Sequence, residues 1–292
     1  MKNTALIGLL LLLTGCGEIR ESAKPEVRKK PLIYTTFYPL QYFTQRIAGE
    51  YAKVACPIPA GVHPSSWQPK DTAIATLQSA DHIITNGAGL EPWLEKVSLA
   101  QSRLTDTTKK YHSDFLYMKG EENHSHGPEG EHVHKGIDPH TWLDPEFALR
   151  QCDVILESVL ELVPENAEAI RENYATLRKD LEGLTLSLEN LVNAPLLASH
   201  PTYNYLAVRH GWSVTNLDLS TTRLPNTEEL KYVQELPAKA ILWEQLPSES
   251  VQQALSKHHV FFDPCFHPPK TGDYLTVMRG NIERLKIALE NE

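Results

Sequence analysis

The sequence predicts an α/β protein of two similar lobes, each with a mainly parallel sheet flanked by helices, joined by one long rigid helix. Three observations carry this. Apolar, β-rich runs alternate with short helical patterns from Leu32 to Val163. The same rhythm returns from Pro195 to Glu290. Between the two, Ile170, Tyr174, Leu177, Leu181, Leu184, Leu188 and Leu191 recur at alternating steps of four and three, which lays one apolar stripe along a helix. Strand and helix alternation of this kind packs helices on both faces of a parallel sheet.

The first residues read as an export signal rather than as fold. Lys2 supplies a positive start and Ala5 to Leu13 a short apolar run. Leu13-Thr14-Gly15-Cys16 then resembles a bacterial lipobox, which implies cleavage at residue 15 and a lipid on Cys16. Residues 16–30 are charged and aperiodic, as expected of a flexible tether. The mature chain is therefore expected outside the cytoplasmic membrane, attached to it by that lipid.

The N-terminal lobe is expected over residues 31–163. Its strands are Leu32 to Phe37, Tyr51 to Pro59, His82 to Asn86 and Leu104 to Thr108. Its helices run from Pro39 to Gly49, Asp71 to Ser79, Glu91 to Leu99 and Glu146 to Val163. Within this lobe, residues 111–136 are rich in Gly, Glu, Ser and His and poor in apolar residues, so a disordered loop is expected. His124, His126, His132 and His134 stand close together there, and short His-rich tracts bind metal.

The linker helix is predicted over residues 164–193, about 45 Å long at 1.5 Å per residue. Pro164 suits a first turn, and Pro195 ends the helix because the residue before a proline is pushed out of the α region. The stripe also suits a coiled-coil dimer. The e and g positions carry no clear charge code, however, and a monomer is expected.

The C-terminal lobe is expected over residues 194–292. Its strands are Pro195 to Ser199, Ser213 to Leu217, Lys239 to Trp243 and Val260 to Phe262. Its helices are Tyr203 to Arg209, Thr227 to Leu236 behind Asn226 as N-cap, Glu249 to Lys257, and Asp273 to Glu290.

With 292 residues, 41% apolar and 22% charged, the chain has enough material for two cores. A net charge of −9 argues against a nucleic-acid partner and fits a cation ligand. Beyond Cys16 three cysteines remain, Cys56, Cys152 and Cys265, none at zinc-knuckle spacing. A Cys56–Cys265 bridge is open to an exported protein, and Cys152 reads as a small buried apolar residue.

Four residues carry the chemistry. His63 lies in Gly61-Val62-His63-Pro64, a proline-bounded turn. His140 lies between the Asp138-Pro139 and Asp144-Pro145 pairs, either aspartate being placed to orient its ring. His200 follows an apolar strand in Ser199-His200-Pro201, and Asp263 ends another in Phe262-Asp263-Pro264. Open parallel sheets bind ligands off the carboxyl ends of their strands. Three histidines and one carboxylate at such places form a tetrahedral set suited to Zn²⁺, whereas Mn²⁺ prefers more oxygen. Three histidines with an open position would also make a hydrolytic zinc site. No His-Glu-x-x-His helix accompanies them, and Asp263 as a fourth ligand closes the site.

The chain resembles the metal-binding lipoproteins of ATP-binding-cassette importers, in their zinc and manganese branch. The stretches that carry the resemblance are Ala60 to Pro64, Asn86 to Leu94, Asp138 to Pro145, Ala198 to His200 with Tyr203 and Tyr205, and Asp263-Pro264 with Tyr274 to Ile282. The resemblance implies two α/β lobes on one long helix, and His63, His140, His200 and Asp263 as metal ligands. It further implies delivery of Zn²⁺ to a membrane permease and its ATPase, with Mn²⁺ as the alternative cargo and metal-dependent adhesion as an alternative role. Manganese members typically carry glutamate where this chain has His200, which favours zinc, and the His-rich loop resembles the zinc members. Two departures stand out. The His-rich loop is short, and Asp263-Pro264-Cys265-Phe266-His267 lacks the family's small residues after Asp-Pro. Cys265 and His267 are therefore either additional metal contacts or packing residues, and Glu244 is a further carboxylate candidate.

Overall fold

A computed structural model of the chain describes residues 29–118, 123–125, 131–133, 136–189, 191 and 194–290. The expected signal peptide, Cys16 with its expected lipid, most of the expected tether, His126 and His134 lie outside the described residues.

Four parallel strands form the first sheet: β1 (Leu32–Thr35), β2 (Lys53–Ala55), β3 (His82–Thr85) and β4 (Leu104–Asp106), in the order β2-β1-β3-β4. In the His-rich segment β5 (Asn123–Ser125) pairs antiparallel with β6 (Glu131–Val133), His124 opposite His132. The sequence predicts disorder there. A ladder of backbone hydrogen bonds needs no apolar face, which is how so polar a segment can pair. The second sheet holds β7 (Leu196–Ala198), β8 (Val214–Asn216), β9 (Ala240–Trp243) and β10 (His258–Phe261), in the order β10-β9-β7-β8, again parallel.

Counted from each lobe's first strand, both sheets follow the same order: second, first, third, fourth. The order reverses between β1 and β3 in one lobe and between β7 and β9 in the other. Those inner strands are the apolar ones, with His82-Ile83-Ile84-Thr85 and Ala240-Ile241-Leu242-Trp243 buried along their whole length. A strand covered by helices on both faces has no solvent side to make polar.

The helices begin and end where local chemistry directs. In α1 (Tyr38–Ala48) Pro39 occupies the first turn, and Gly49 at φ 54° leaves the helix. After α2 (Asp71–Gln78), the stretch expected as a helix from Glu91 is a 3₁₀ turn, Pro92–Lys96. Val97 is already extended (φ −120°, ψ 146°), so only i→i+3 bonds close. Asp144 caps α3 (Pro145–Leu162) by accepting from the Glu146 N–H.

The linker is shorter than the sequence predicts. Val163 sits before Pro164 at φ −135°, ψ 60°, outside the helical region, and Pro164–Asn166 forms a 3₁₀ turn. The α-helix proper, α4, is Ala167–Glu189, roughly 35 Å long. Ile170, Leu177, Leu181, Leu184 and Leu188 are buried on it, against α1 and α3 on one side. On the other side they meet the C-terminal helix of the second lobe. That lobe adds α5 (Asn204–His210), α6 (Thr227–Glu235), α7 (Glu249–Leu255) and α8 (Tyr274–Glu290). The stripe is thus consumed within the chain, in one apolar core that runs from Ile33 through Leu181 to Leu285. Asn226 and Glu229 close a reciprocal capping box on α6.

Cys56, Cys152 and Cys265 are free thiols, Cys56 half-buried and the other two buried. No described helix is long and apolar enough to cross a membrane.

Leu181 is 0% exposed and Leu186, on the same helix, is 60% exposed. Leu181→Ala is expected to destabilise the fold by about 2–5 kcal/mol through the cavity it leaves. Leu186→Ala is expected to shift stability by no more than about 0.5 kcal/mol. Urea unfolding of both variants measures the contrast.

Candidate metal centre

A cavity of about 310 Å³ opens at the carboxyl edge of the sheets, lined by His63, His200, Glu244, Asp263, Phe266 and His267 among others. His200 follows β7 and Glu244 follows β9, the two strands that flank the order reversal of the second sheet. That is the crevice where open sheets bind ligands.

His63 is buried on the loop between β2 and α2. Gly61 turns at φ 79°, and the His63 carbonyl accepts from the Ser66 and Trp67 N–H groups, each at 3.1 Å. Its Nδ1 lies 2.7 Å from Ser65 Oγ, with the Ser65 N–H at a longer 3.3 Å. In the tautomer whose Nδ1–H donates to that hydroxyl, Nε2 carries the ring's lone pair, whereas the Ser65 N–H suits the opposite tautomer.

His140 is held from both lobes. Asp138 Oδ1 accepts from the His140 backbone N–H at 3.0 Å and faces Nδ1 at 2.7 Å. Asp138 Oδ2 accepts from Asn204 Nδ2 at 2.9 Å, and its carbonyl accepts from Tyr205 Oη at 3.0 Å. Of the two aspartates that could orient the ring, Asp138 does so. Asp144 instead caps α3 and pairs with Arg209 at 3.1 Å.

Asp263 leaves β10 with its backbone cradled by Asn281: N–H to Oδ1 at 3.0 Å, and carbonyl from Nδ2 at 2.8 Å. Burial pushes its carboxyl above the usual range, against the Cys265 N–H and the positive fields of Arg284 and His267. A carboxylate desolvated to this degree gains from a cation beside it. Glu244 adds negative charge to the same wall and accepts from Thr202 Oγ1. His200 is buried with Nε2 at 4.0 Å from Asp218 Oδ1.

The aromatic ring of Phe266 contacts two of the candidate ligands. Its centroid stands 4.1 Å from that of His63 and 5.9 Å from that of His140. Among the described residues no group of three or more His, Cys, Asp or Glu side chains is placed to hold one metal ion. The structure brings His63, His200 and Asp263 to the lining of one cavity, with Glu244 and His267 beside them; His140 is not on that lining, and its ring meets Phe266, which is. Cys265 is buried and is not among the cavity's lining residues. Nothing in the spacing of the sequence singled out Phe266. Its one signal was the departure from small residues after Asp263-Pro264.

The Asn86 to Leu94 motif supports the site from behind. Gly87, Ala88 and Gly89 all have positive φ, and a Cβ on Gly87 would lie 2.0 Å from Asp106 Oδ1. This tight turn wraps the buried Glu91 carboxylate, which accepts from the Asn86 and Gly87 N–H groups at 2.8 and 3.1 Å and from Thr36 Oγ1. Asn86 Nδ2 in turn donates to the Pro139 carbonyl at 3.0 Å, next to His140. Burial pushes the Glu91 carboxyl up to about 7.

Comparison with known proteins gives a consistent picture. The family described as ZnuA, zinc-uptake complex component A, periplasmic, matches residues 33–288. The zinc-binding lipoprotein AdcA of Streptococcus pneumoniae is 29% identical over 282 residues, covering 89% of this chain and 56% of that protein. The chain thus spans little more than half the length of that relative. The high-affinity zinc uptake system protein ZnuA of Bacillus subtilis is 28% identical over 258 residues, covering 84% of this chain and 81% of that protein. The crystal structure of Zn(II)-bound AdcA from S. pneumoniae superposes with a TM-score of 0.74 at 25% identity, covering 90% of this chain and 59% of that one.

Two outcomes test this geometry. Asp138→Ala is expected to weaken metal binding about 10–100-fold while the fold survives, because the His140 ring loses its orienting acceptor; competition with a chromophoric chelator reads it. Glu91 has a folded value raised above its unfolded one, so the stability it contributes is present at low pH and lost as pH rises toward about 7. Wild type is therefore expected to gain stability relative to Glu91→Gln as pH falls from about 7 to 4.5, read by denaturant unfolding at each pH.

Proposed function

Because the chain belongs to the family of the periplasmic zinc-uptake complex component A, we propose that it is an extracytoplasmic zinc-binding protein that delivers Zn²⁺ to an ATP-binding-cassette permease. The observation that carries this is the donor chemistry of one cavity: buried His63 and His200 with the desolvated Asp263, and the Asp138-anchored His140 next to it. His63, His140, His200 and Asp263 are the ligands in this reading. Three imidazoles and one carboxylate match the four-coordinate preference of zinc better than the oxygen-rich preference of manganese. Four protein ligands also leave no position for a reactive water, so the site binds and releases rather than hydrolyses.

The same reading assigns residues 1–15 to a signal peptide and Cys16 to a lipid anchor, which holds the chain at the outer face of a membrane beside its permease. His124, His126, His132 and His134 then act as a weak capture site that raises the local zinc concentration. The continuous α4, packed on both lobes, resists bending. Release to the permease accordingly uses small movements of the loops that carry the ligands.

The test is equilibrium titration of the purified chain with Zn²⁺ and with Mn²⁺, beside His200→Glu. One tight Zn²⁺ per chain is expected, with affinity falling as pH drops below about 6.5, because each imidazole must shed its proton to bind. His200→Glu is expected to lose zinc affinity relative to manganese. A wild-type preference for Mn²⁺ moves the cargo to manganese, and the lack of any tight site overturns the assignment.

A further inference from the structure

β10 is the outer strand of the second sheet, paired with β9 alone among the described residues. Its last ladder bond runs from the Phe262 N–H to the Trp243 carbonyl at 2.9 Å. Backbone groups alternate sides along a strand, so those of Phe261 and Asp263 face away from the sheet. Open edge groups of this kind need cover. Here α8 supplies it with two side chains one turn apart on the same helix face. The Arg284 Nε–H donates to the Phe261 carbonyl at 2.7 Å, and the guanidinium lies over the Phe261 ring, 5.2 Å from its centroid. Asn281 accepts the Asp263 N–H on Oδ1 and donates from Nδ2 to the Asp263 carbonyl. Arg284 Nη2 then donates to that same Oδ1 at 2.5 Å. Asn281 is fully buried, so water cannot replace these partners. The helix also leaves space for the guanidinium: a Cβ on Gly280 would stand 3.1 Å from Arg284 Nη1.

We propose that Arg284, acting through Asn281, is the positioning residue for Asp263: the two α8 side chains take the place of a neighbouring strand and aim the carboxylate at the metal. The proposal rests on the zinc-binding reading above, in which Asp263 is a ligand. The two ends of a primary amide have nearly the same shape. A flipped Asn281 would set Nδ2 against the Asp263 N–H and Oδ1 against its carbonyl. A second, charged donor on Oδ1 favours the working orientation and polarises the amide toward Asp263. The same guanidinium holds the Phe261 carbonyl, so the chain enters Asp263-Pro264 from a fixed direction. Asp263 Oδ1 also accepts from the Cys265 N–H at 2.8 Å, so the carboxylate follows the local backbone. A zinc–carboxylate bond of about 2.0–2.2 Å tolerates little error in that placement. Arg284 is a charge as well as a clamp, and the two act oppositely on a bound cation. Loss of the charge alone would tighten zinc binding, because like charges repel. Loss of the clamp weakens it, so the sign of the change shows which governs.

The experiment is competition for Zn²⁺ between a chromophoric chelator and the purified chain, as wild type, Arg284→Met, Asp263→Ala and the double variant. Methionine keeps much of the apolar stem and removes the charge and every donor. Arg284→Met is expected to bind zinc about tenfold more weakly than wild type. In the Asp263→Ala background the same change is expected to cost nothing further, because its effect passes through Asp263. Bound Co²⁺ gives a second readout, since its visible absorption follows coordination geometry. Arg284→Met is expected to alter that spectrum at saturating Co²⁺, which a loss of fold stability alone would not do. Zinc binding by Arg284→Met as tight as in wild type, or tighter, overturns the proposal. So does an equal loss in the Asp263→Ala background, or an unchanged Co²⁺ spectrum. A wild type with no tight zinc site, or Asp263→Ala that binds zinc as wild type does, overturns the metal-site reading instead, and the single-variant titrations report that separately.

Discussion

The indole of Trp142 ties the two lobes together where the chemistry sits. Its Nε1–H donates to the Pro264 carbonyl at 2.7 Å, and its own carbonyl accepts from Tyr274 Oη at 2.7 Å. Trp142 and Tyr274 are fully buried, so each bond satisfies groups that water cannot reach. An unmade bond at such a place would cost about 1–3 kcal/mol. Trp142 lies two residues from His140, and Pro264 follows Asp263 directly. One hydrogen bond therefore sets the spacing between a ligand candidate of the first lobe and one of the second.

The same logic extends outward. Asn204, Tyr205 and Arg209, all from α5, grip Asp138 and Asp144 on either side of His140. The turn that carries His140 belongs to the first lobe by sequence and is fastened to the second by hydrogen bonds. His140, His200 and Asp263 thus share one rigid frame. His63 comes from a separate loop: its described hydrogen bonds reach Ser65, Ser66 and Trp67, and its ring meets Phe266 of the second lobe. The apolar stripe of α4, buried in the core that both lobes share, keeps the lobes in register.

Much of this was legible in the residues. The alternation of β-rich and helical runs located all eight strands of the two sheets, most clearly β3, β7 and β9, which are buried along their whole length and so are apolar throughout. The stripe from Ile170 to Leu188 identified the linker, because a helix that packs on both lobes needs one continuous apolar face. The ends of elements were less legible. Pro164 suits the start of an α-helix, yet Val163 and Pro164 force a break and a 3₁₀ turn before Ala167. Glu91 to Leu99 contained helix formers, but the turn at Gly87 and the early extension at Val97 left room for a 3₁₀ turn alone.

The sequence by itself determined which residue types could ligate and which strands would present them, since donor chemistry and apolar periodicity are local properties. It named His63, His140, His200 and Asp263 and left Asp138 and Asp144 as equal partners for His140. Only the tertiary structure decided between those aspartates, because the choice depends on Asn204 and Arg209, more than 60 residues away in the chain. It also placed Phe266 against two imidazoles from separate loops of the other lobe. Such a contact has no signature in spacing, since it arises where chain segments far apart in sequence meet in one cavity.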